Sequence, residues 1–262
     1  LRVDITVERY DANFSMTVSE PIKLKAEDYD LHYEGAVLFN NQIYILGSHY
    51  YTKEDVEKLF AFTVDPVSLH FNSQPKLIAK MESKKHSTFN LSLSPDKKRF
   101  SIVTNPGVDD DNIYAYTVNV YTDDLKELWS KKVKSKYEPY TFYVNTGKVD
   151  NSGNVYILGG TGTDIILAKY NTSGTIQWQR QLASTASDTG KSVAVDNSGN
   201  VYITGYSNIS GNSGIVLAKY DTSGTIQWQR QLATTADSFG YSIVLDSSRN
   251  VYITGYYNSG AG

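Results

Sequence analysis

The chain has 262 residues, no Cys, 25 Lys+Arg against 28 Asp+Glu, and a formal net charge of −3. Hydrophobic residues make up 40% of it, enough for a sizeable core, which excludes a globally disordered chain. The charge balance argues against a phosphate-binding surface, so nucleic acid is not an expected partner. No run approaches about 18 apolar residues, so no membrane span is expected, and without Cys there is neither a disulfide nor a thiolate site.

In chain order, the apolar runs are short and separated by Gly, Asn, Asp and Ser. Starting at Leu1 without a signal-peptide pattern, the chain reads as a mature or excised piece. VDITVERYD (3–11) and FSMTVSE (14–20) form two strand-like runs, followed by GAVLF (35–39) and QIYILG (42–47). Thr52 to Asp55, ahead of VEKLF, fits either one capped helical turn or a loop. LSLSPDKKRFSIVTN (91–105) reads as two strands about a turn, YTDDLKELWSKKV (121–133) as a third turn and strand.

From residue 149 the sequence repeats. Residues 167–206 and 217–256 are identical at 29 of 40 positions, a period of 50. An earlier NVYILGG (154–160) precedes NVYITGY (200–206) by 46 residues, the difference lying between GTGTD and SNISGNSG, which is read as loop. In the later copy the strand-like runs are SVAV (192–195), NVYITGY (200–206), GIVLAKY (214–220) and TIQWQRQL (225–232). Short turns rich in Gly, Asn, Asp and Ser make this an antiparallel meander. Many positions are apolar on both faces, so each sheet must lie between two others. Four-stranded meanders recurring every 40–50 residues or so define a β-propeller.

The first half fits the same frame. Aligning 121–133 with 220–232 matches Tyr121 to Tyr220, Trp129 to Trp228 and Val133 to Leu232, so Trp129, Trp178 and Trp228 occupy one slot, assigned to packing between blades. Second strands starting near Ile43, Phe100, Val155, Val201 and Val251 give five sheets. The last repeat stops after its second strand, and 3–11 resembles TDIILAKYN (163–171). The expectation is therefore an all-β, single-domain, five-bladed propeller over 1–262. Its closing blade takes outer strands from 1–22 and inner strands from about 240–258. The other blades span about 33–80, 86–134, 140–183 and 190–233. Such closure removes exposed strand edges; the competing reading is part of a six- to eight-bladed ring.

DNSGNVYITGY (196–206), LAKYDTSGTIQWQRQL (217–232) and SVAVD (192–196) closely resemble the SBBP β-propeller repeat of bacterial secreted and cell-surface proteins, over about residues 149–256. LSPDKKRFSIV (93–103) resembles the S-P-D-G-K turn of TolB-like and WD-type propellers, with Lys97 in place of Gly. The first half is also similar to propeller segments of Bacteroidetes envelope proteins. These resemblances imply a propeller and export to the cell surface, periplasm or exterior. AKYDTSGTIQWQR (218–230) resembles the tryptophan-docking motif of quinoprotein dehydrogenases, but the Ala-x-Asp spacing departs and the chain is too short for their eight blades.

Of the candidate sites, Asp150-Asn-Ser-Gly-Asn154, Asp196-Asn-Ser-Gly-Asn200 and Asp246-Ser-Ser-Arg-Asn250 have one Asp each and read as hairpin turns rather than calcium loops. Asp109, Asp110 and Asp111 are the weak metal candidate; a solvated acidic loop is the simpler reading. The four His have no metal-ligand spacing. The innermost strands contain no Asp or Glu, which argues against an axial acid/base pair, with Glu34, Asp188 and Asp237 in nearby loops. No cofactor and no catalytic constellation are expected. Only 13 of the 53 charged residues lie in 149–262, leaving a neutral, Tyr-rich surface suited to protein partners or to carbohydrate. Loops joining fourth to first and second to third strands share one end of the blades. There Phe239, Tyr256 and Tyr257 are the aromatic anchors, with Asp188, Tyr206, Asn208 and Asp237 beside them. The expected function is a non-catalytic scaffold in a bacterial envelope or secreted assembly, the rival a lectin-like or glycoside-hydrolase propeller.

Overall fold

A computed structural model of the protein describes residues 5–39, 41–82, 88–105, 115–134, 143–182, 187–209, 212–232 and 236–257. Every regular element among them is a strand. The chain divides into two compact units, Leu1–Ser87 and Thr88–Gly262.

In the first unit, β1 (Ile5–Tyr10) and β2 (Met16–Ile22) form a hairpin, β3 (Lys25–Ala26) and β4 (Tyr29–Asp30) a second, short one. β5 (His32–Phe39), β6 (Gln42–Tyr51), β7 (Val56–Val64) and β8 (Lys76–Glu82) make a four-stranded antiparallel meander. Ile5, Val7 and Val18 pack on a core of Ile45, Phe60, Phe62 and Val64. Residues 52–55 are a turn rather than a helical one, because Val56 already pairs with Tyr51. Lys58, 6% exposed, is satisfied by Glu27 at 2.9 Å and Glu54 at 3.1 Å, and lies over the Tyr51 ring.

The second unit holds three further meanders: β9–β12 (Thr88–Leu93, Arg99–Asn105, Ala115–Thr122, Glu127–Lys134), β13–β16 (Tyr143–Val149, Val155–Gly160, Ile165–Tyr170, Ile176–Leu182) and β17–β20 (Asp188–Val195, Val201–Ile209, Asn212–Tyr220, Ile226–Leu232). β21 (Ser238–Leu245) and β22 (Val251–Tyr257) form a two-stranded sheet. Consecutive sheets pack face to face. Val118 and Val120 meet Val155 and Ile157; Tyr156 and Leu158 meet Val201 and Ile203; Tyr202 and Trp228 meet Ile243 and Ile253. These are blades of propeller type. The hairpins β1–β2 and β21–β22 are two-stranded sheets, one in each unit.

Local chemistry recurs between blades of the second unit. Between first and second strands, Asp150 Oδ1 accepts from the Ser152 and Asn154 amides, and Asp196 Oδ1 from those of Ser198 and Asn200. The Asn154 and Asn200 side chains bond the second carboxylate oxygen. Both carboxylates thus close their own turns. Between third and fourth strands, a bulge recurs at Val120/Tyr121, Lys169/Tyr170 and Lys219/Tyr220. Lys97 and Leu125 take left-handed φ of 59° and 58° in positions where turn geometry favours Gly.

Two of the three Trp side chains reach the next blade's turn. Trp129 Nε1 donates to Gly153 O at 3.2 Å and Trp178 Nε1 to Thr222 O at 3.1 Å, while Arg180 bonds Ser223 O and Gly224 O. Gly224 is doubly constrained: φ is +77°, and a Cβ there would lie 2.6 Å from Trp178. Gly162, at φ +85°, faces open space. In urea denaturation, Gly162→Ala is expected to cost about 1–2 kcal/mol from backbone strain alone. Gly224→Ala should cost at least about 1 kcal/mol more, from the clash with the indole.

Candidate binding face

The end of the blades that carries the second-to-third-strand hairpins is built on strand termini. β18 runs on to Ile209 and pairs there with Asn212, so the four-residue insertion expected to lengthen a loop instead lengthens a strand pair. Tyr206 and Asn208 are therefore held in the ladder opposite Ile215 and Ser213. Asp237 Oδ1 accepts from the Ser213 amide at 2.7 Å, and Ser238 Oγ donates to Ser213 O at 3.3 Å, tying the start of β21 to this hairpin.

On that support three rings form a row. Tyr206 meets Phe239 edge-on with centroids 4.8 Å apart, and Phe239 stacks on Tyr256 at 6.1 Å and 26°. Both spacings lie in the range where ring quadrupoles attract. Tyr256 and Tyr257 are each about half exposed, at 52%. Lys191 Nζ lies over the Tyr206 ring, 5.6 Å from its centroid, a residue the sequence reading missed. Its signal was the break in the repeat, where Tyr241 stands in the next copy.

The remaining candidates fall into different places. Asp188 is only 3% exposed and belongs to β17, its amide donating to Thr163 O. Glu34 likewise lies in β5, so two inner strands do carry acids, contrary to the sequence expectation. The cause is the pair of bulges at Tyr33/Gly35 and Gly190/Ser192, past which first-strand pairing continues for several residues. Asp109, Asp110 and Asp111 lie outside the described residues. Among the described residues, no group of three or more His, Asp or Glu is placed to hold a metal ion. No helix there is long and apolar enough to cross a membrane.

In the first unit, Ser48 Oγ lies 2.7 Å from Glu34 Oε1 and 2.8 Å from Glu57 Oε1. A hydroxyl has one proton to donate, so both contacts are satisfied only when one carboxyl is protonated. Burial raises the Glu34 pKa by more than the Ser48 bond lowers it. An acid whose pKa is raised on folding adds stability in its neutral form and loses it as pH rises through the carboxylate range. Glu34→Gln, neutral throughout, should therefore melt higher than the native chain at neutral pH. The two curves should converge in acid, as a thermal melt at each pH will check.

The strands and their order define a protein built of β-propeller blades. Residues 177–212 and 227–260 match the SBBP beta-propeller repeat, so this chain carries SBBP repeats. No curated protein matches it. Among solved structures it is similar to Sqt1 of Chaetomium thermophilum, bound to the N-terminus of a ribosomal protein (TM-score 0.57, 13% identity, 96% of this chain, 64% of that one). It is similar also to a protein from Lactobacillus plantarum (0.52, 13%, 89% and 66%). A third likeness is to the β-propeller domain of the trilobed protease from Pyrococcus furiosus, which has an open velcro topology (0.50, 9%, 88% and 69%). The chain spans less than two thirds of the length of the first two. At these identities the likenesses speak for the fold alone.

Proposed function

We propose that the chain is an exported, non-catalytic β-propeller that acts as a protein–protein interaction scaffold in a bacterial cell-envelope or secreted assembly. The observation that carries this reading is the Tyr206–Phe239–Tyr256 row, flanked by Lys191 and the exposed Tyr257. Rigid aromatic side chains contribute large contact area at small entropy cost, and they dominate protein interfaces. Export is supported by the resemblance of the SBBP repeats to those of secreted and surface proteins. Sqt1, bound to a ribosomal protein's N-terminus, shows the same kind of scaffold holding a protein segment.

Phe239→Ala and Tyr257→Ala in the full chain should each weaken capture of a partner from native envelope extract about tenfold or more. Gln177→Ala, in a fourth strand, should leave capture unchanged. Capture indifferent to both aromatic changes overturns the proposal for this face. Glycan-array binding lost in the same variants favours the carbohydrate alternative instead.

The single-domain, five-bladed closure belongs to the same proposal. Its support is that β1–β2 reproduces a third-and-fourth-strand hairpin. The bulge lies at Arg9/Tyr10, Tyr10 pairs with Met16 as Tyr170 pairs with Ile176, and Asp11 Oδ1 accepts from two amides as Asp221 does. The β21–β22 hairpin reproduces the first two strands, with its bulge at Gly240/Ser242 matching Gly190/Ser192. By the register of Ile203 with Ala218, Ile253 would stand opposite Glu8. In this cysteine-free chain, the double variant Glu8→Cys, Ile253→Cys should oxidise to an internally crosslinked monomer on non-reducing gels. No crosslink overturns closure; crosslinked dimers assign the strand exchange to two copies.

A further inference from the structure

At the opposite strand ends of the second unit, a cavity of about 480 Å³ opens among the inner strands. Its apolar wall includes Leu93, Val195 and Leu245. Lys148 and Arg249 also line it, and both break the repeat. Lys148 stands opposite Tyr156 where Ala194 faces Tyr202 and Val244 faces Tyr252. Arg249 stands where two sister turns have Gly153 and Gly199 and a third has Lys97.

Arg249 keeps the glycine's backbone, with φ +67° against +91° and +78°. A side chain held in that region is strained, and such outliers cluster at functional sites. Its Nε lies 4.0 Å from Asp196 Oδ2. That carboxylate is otherwise engaged by the Ser198 and Asn200 amides, the Asn200 side chain and the Tyr202 hydroxyl. Asp246, also in the wall, is engaged by the Asn250 amide, the Asn250 side chain and the Tyr252 hydroxyl. Lys148 is half-buried and has no hydrogen-bond or ion-pair partner among the described residues. Burial alone pushes its pKa down, as expected for a cation without a counter-charge.

We propose that this cavity binds a monoanionic organic carboxylate with an apolar body, its carboxylate held by Lys148 and Arg249 and its body lying on Leu93, Val195 and Leu245. A half-buried lysine without a partner gains when an anion reaches it, and charge-assisted bonds to carboxylate are among the stronger polar contacts. The two wall carboxylates limit the site to a single negative charge, because a phosphate dianion would be repelled by Asp196 and Asp246.

The test is isothermal titration of the full chain with octanoate, octanol, inorganic phosphate, and N-acetyl-trileucine as free acid and as amide. Octanoate is expected to bind, octanol and phosphate not. Acid peptide binding in preference to its amide assigns the ligand to a chain terminus; octanoate binding alone assigns it to a small molecule. Lys148→Met, which keeps the aliphatic stem, and Arg249→Gly should each weaken octanoate about tenfold or more. Arg249→Gly should also raise the melting temperature by relieving the strained turn, so its loss of binding is separable from unfolding. No heat with any carboxylate, phosphate binding as tight as octanoate, or unchanged affinity in both variants overturns the proposal.

Discussion

Burial of both faces of each blade is the constraint on which the second unit depends. Tyr156, Ile157 and Leu158 are successive residues of one strand, so they alternate between faces, and none is more than 1% exposed. A sheet of that composition has no water-facing side and is stable only between two others. The dependence is visible within the repeat itself. Tyr156, Tyr202 and Tyr252 occupy one position and bond the same turn aspartate, yet they are 0%, 2% and 54% exposed. Sequence and local geometry are shared; Tyr156 and Tyr202 are packed by a later sheet of the second unit, whereas Tyr252 lies in that unit's last sheet. Burying one such side chain is worth about 1.5–3 kcal/mol, so stability accrues blade by blade from the packing between sheets.

Apolar packing is indifferent to small slides, and the polar contacts across the seams supply register. Trp178 and Arg180 both end on carbonyls of the turn Thr222–Gly224, and the Tyr156 hydroxyl reaches Gly199 O as well as its own Asp150. Lys169 and Lys219 lie over Tyr156 and Tyr202, at 5.3 and 5.2 Å from the ring centroids. A turn in such a seam therefore has two duties: closing its own hairpin and presenting carbonyls to the preceding sheet. This explains the glycine at 224, where the indole leaves no room for a Cβ.

The periodic features were legible in the sequence. The Trp slot, the Asp–Asn turns and the four-strand order follow from spacing, because each repeats in residues that act locally. Strand length was not legible, since the bulges at Gly190/Ser192 and Tyr33/Gly35 let pairing continue beyond the apolar alternation and draw Asp188 and Glu34 into strands. The aromatic row was legible as residue types but not as a row, since the Tyr206–Phe239 contact joins two blades. Lys191 and Lys148 were missed for the same reason: their meaning lies in what faces them across a seam, and single-chain periodicity carries no information about that.

Repetition also makes each exception interpretable, because every departure has a structural twin in the same molecule. Thr189 pairs with Tyr206 and is nearly buried; Phe239 takes the same place opposite Tyr256 and brings a ring to the surface row. Gly199 closes its turn without strain; Arg249 closes the same turn with the same amide-to-carbonyl bond to the preceding aspartate and bears a left-handed backbone. In neither case does the fold require the change, since the twin shows the blade formed without it. Selection for folding alone would favour the simpler residue at 249 by the strain it avoids. The exceptions gather at the two ends of the blades, aromatic at one and cationic at the other, while the seams keep the repeat. That separation is what a scaffold shows when its sheets answer to packing and its ends to ligands.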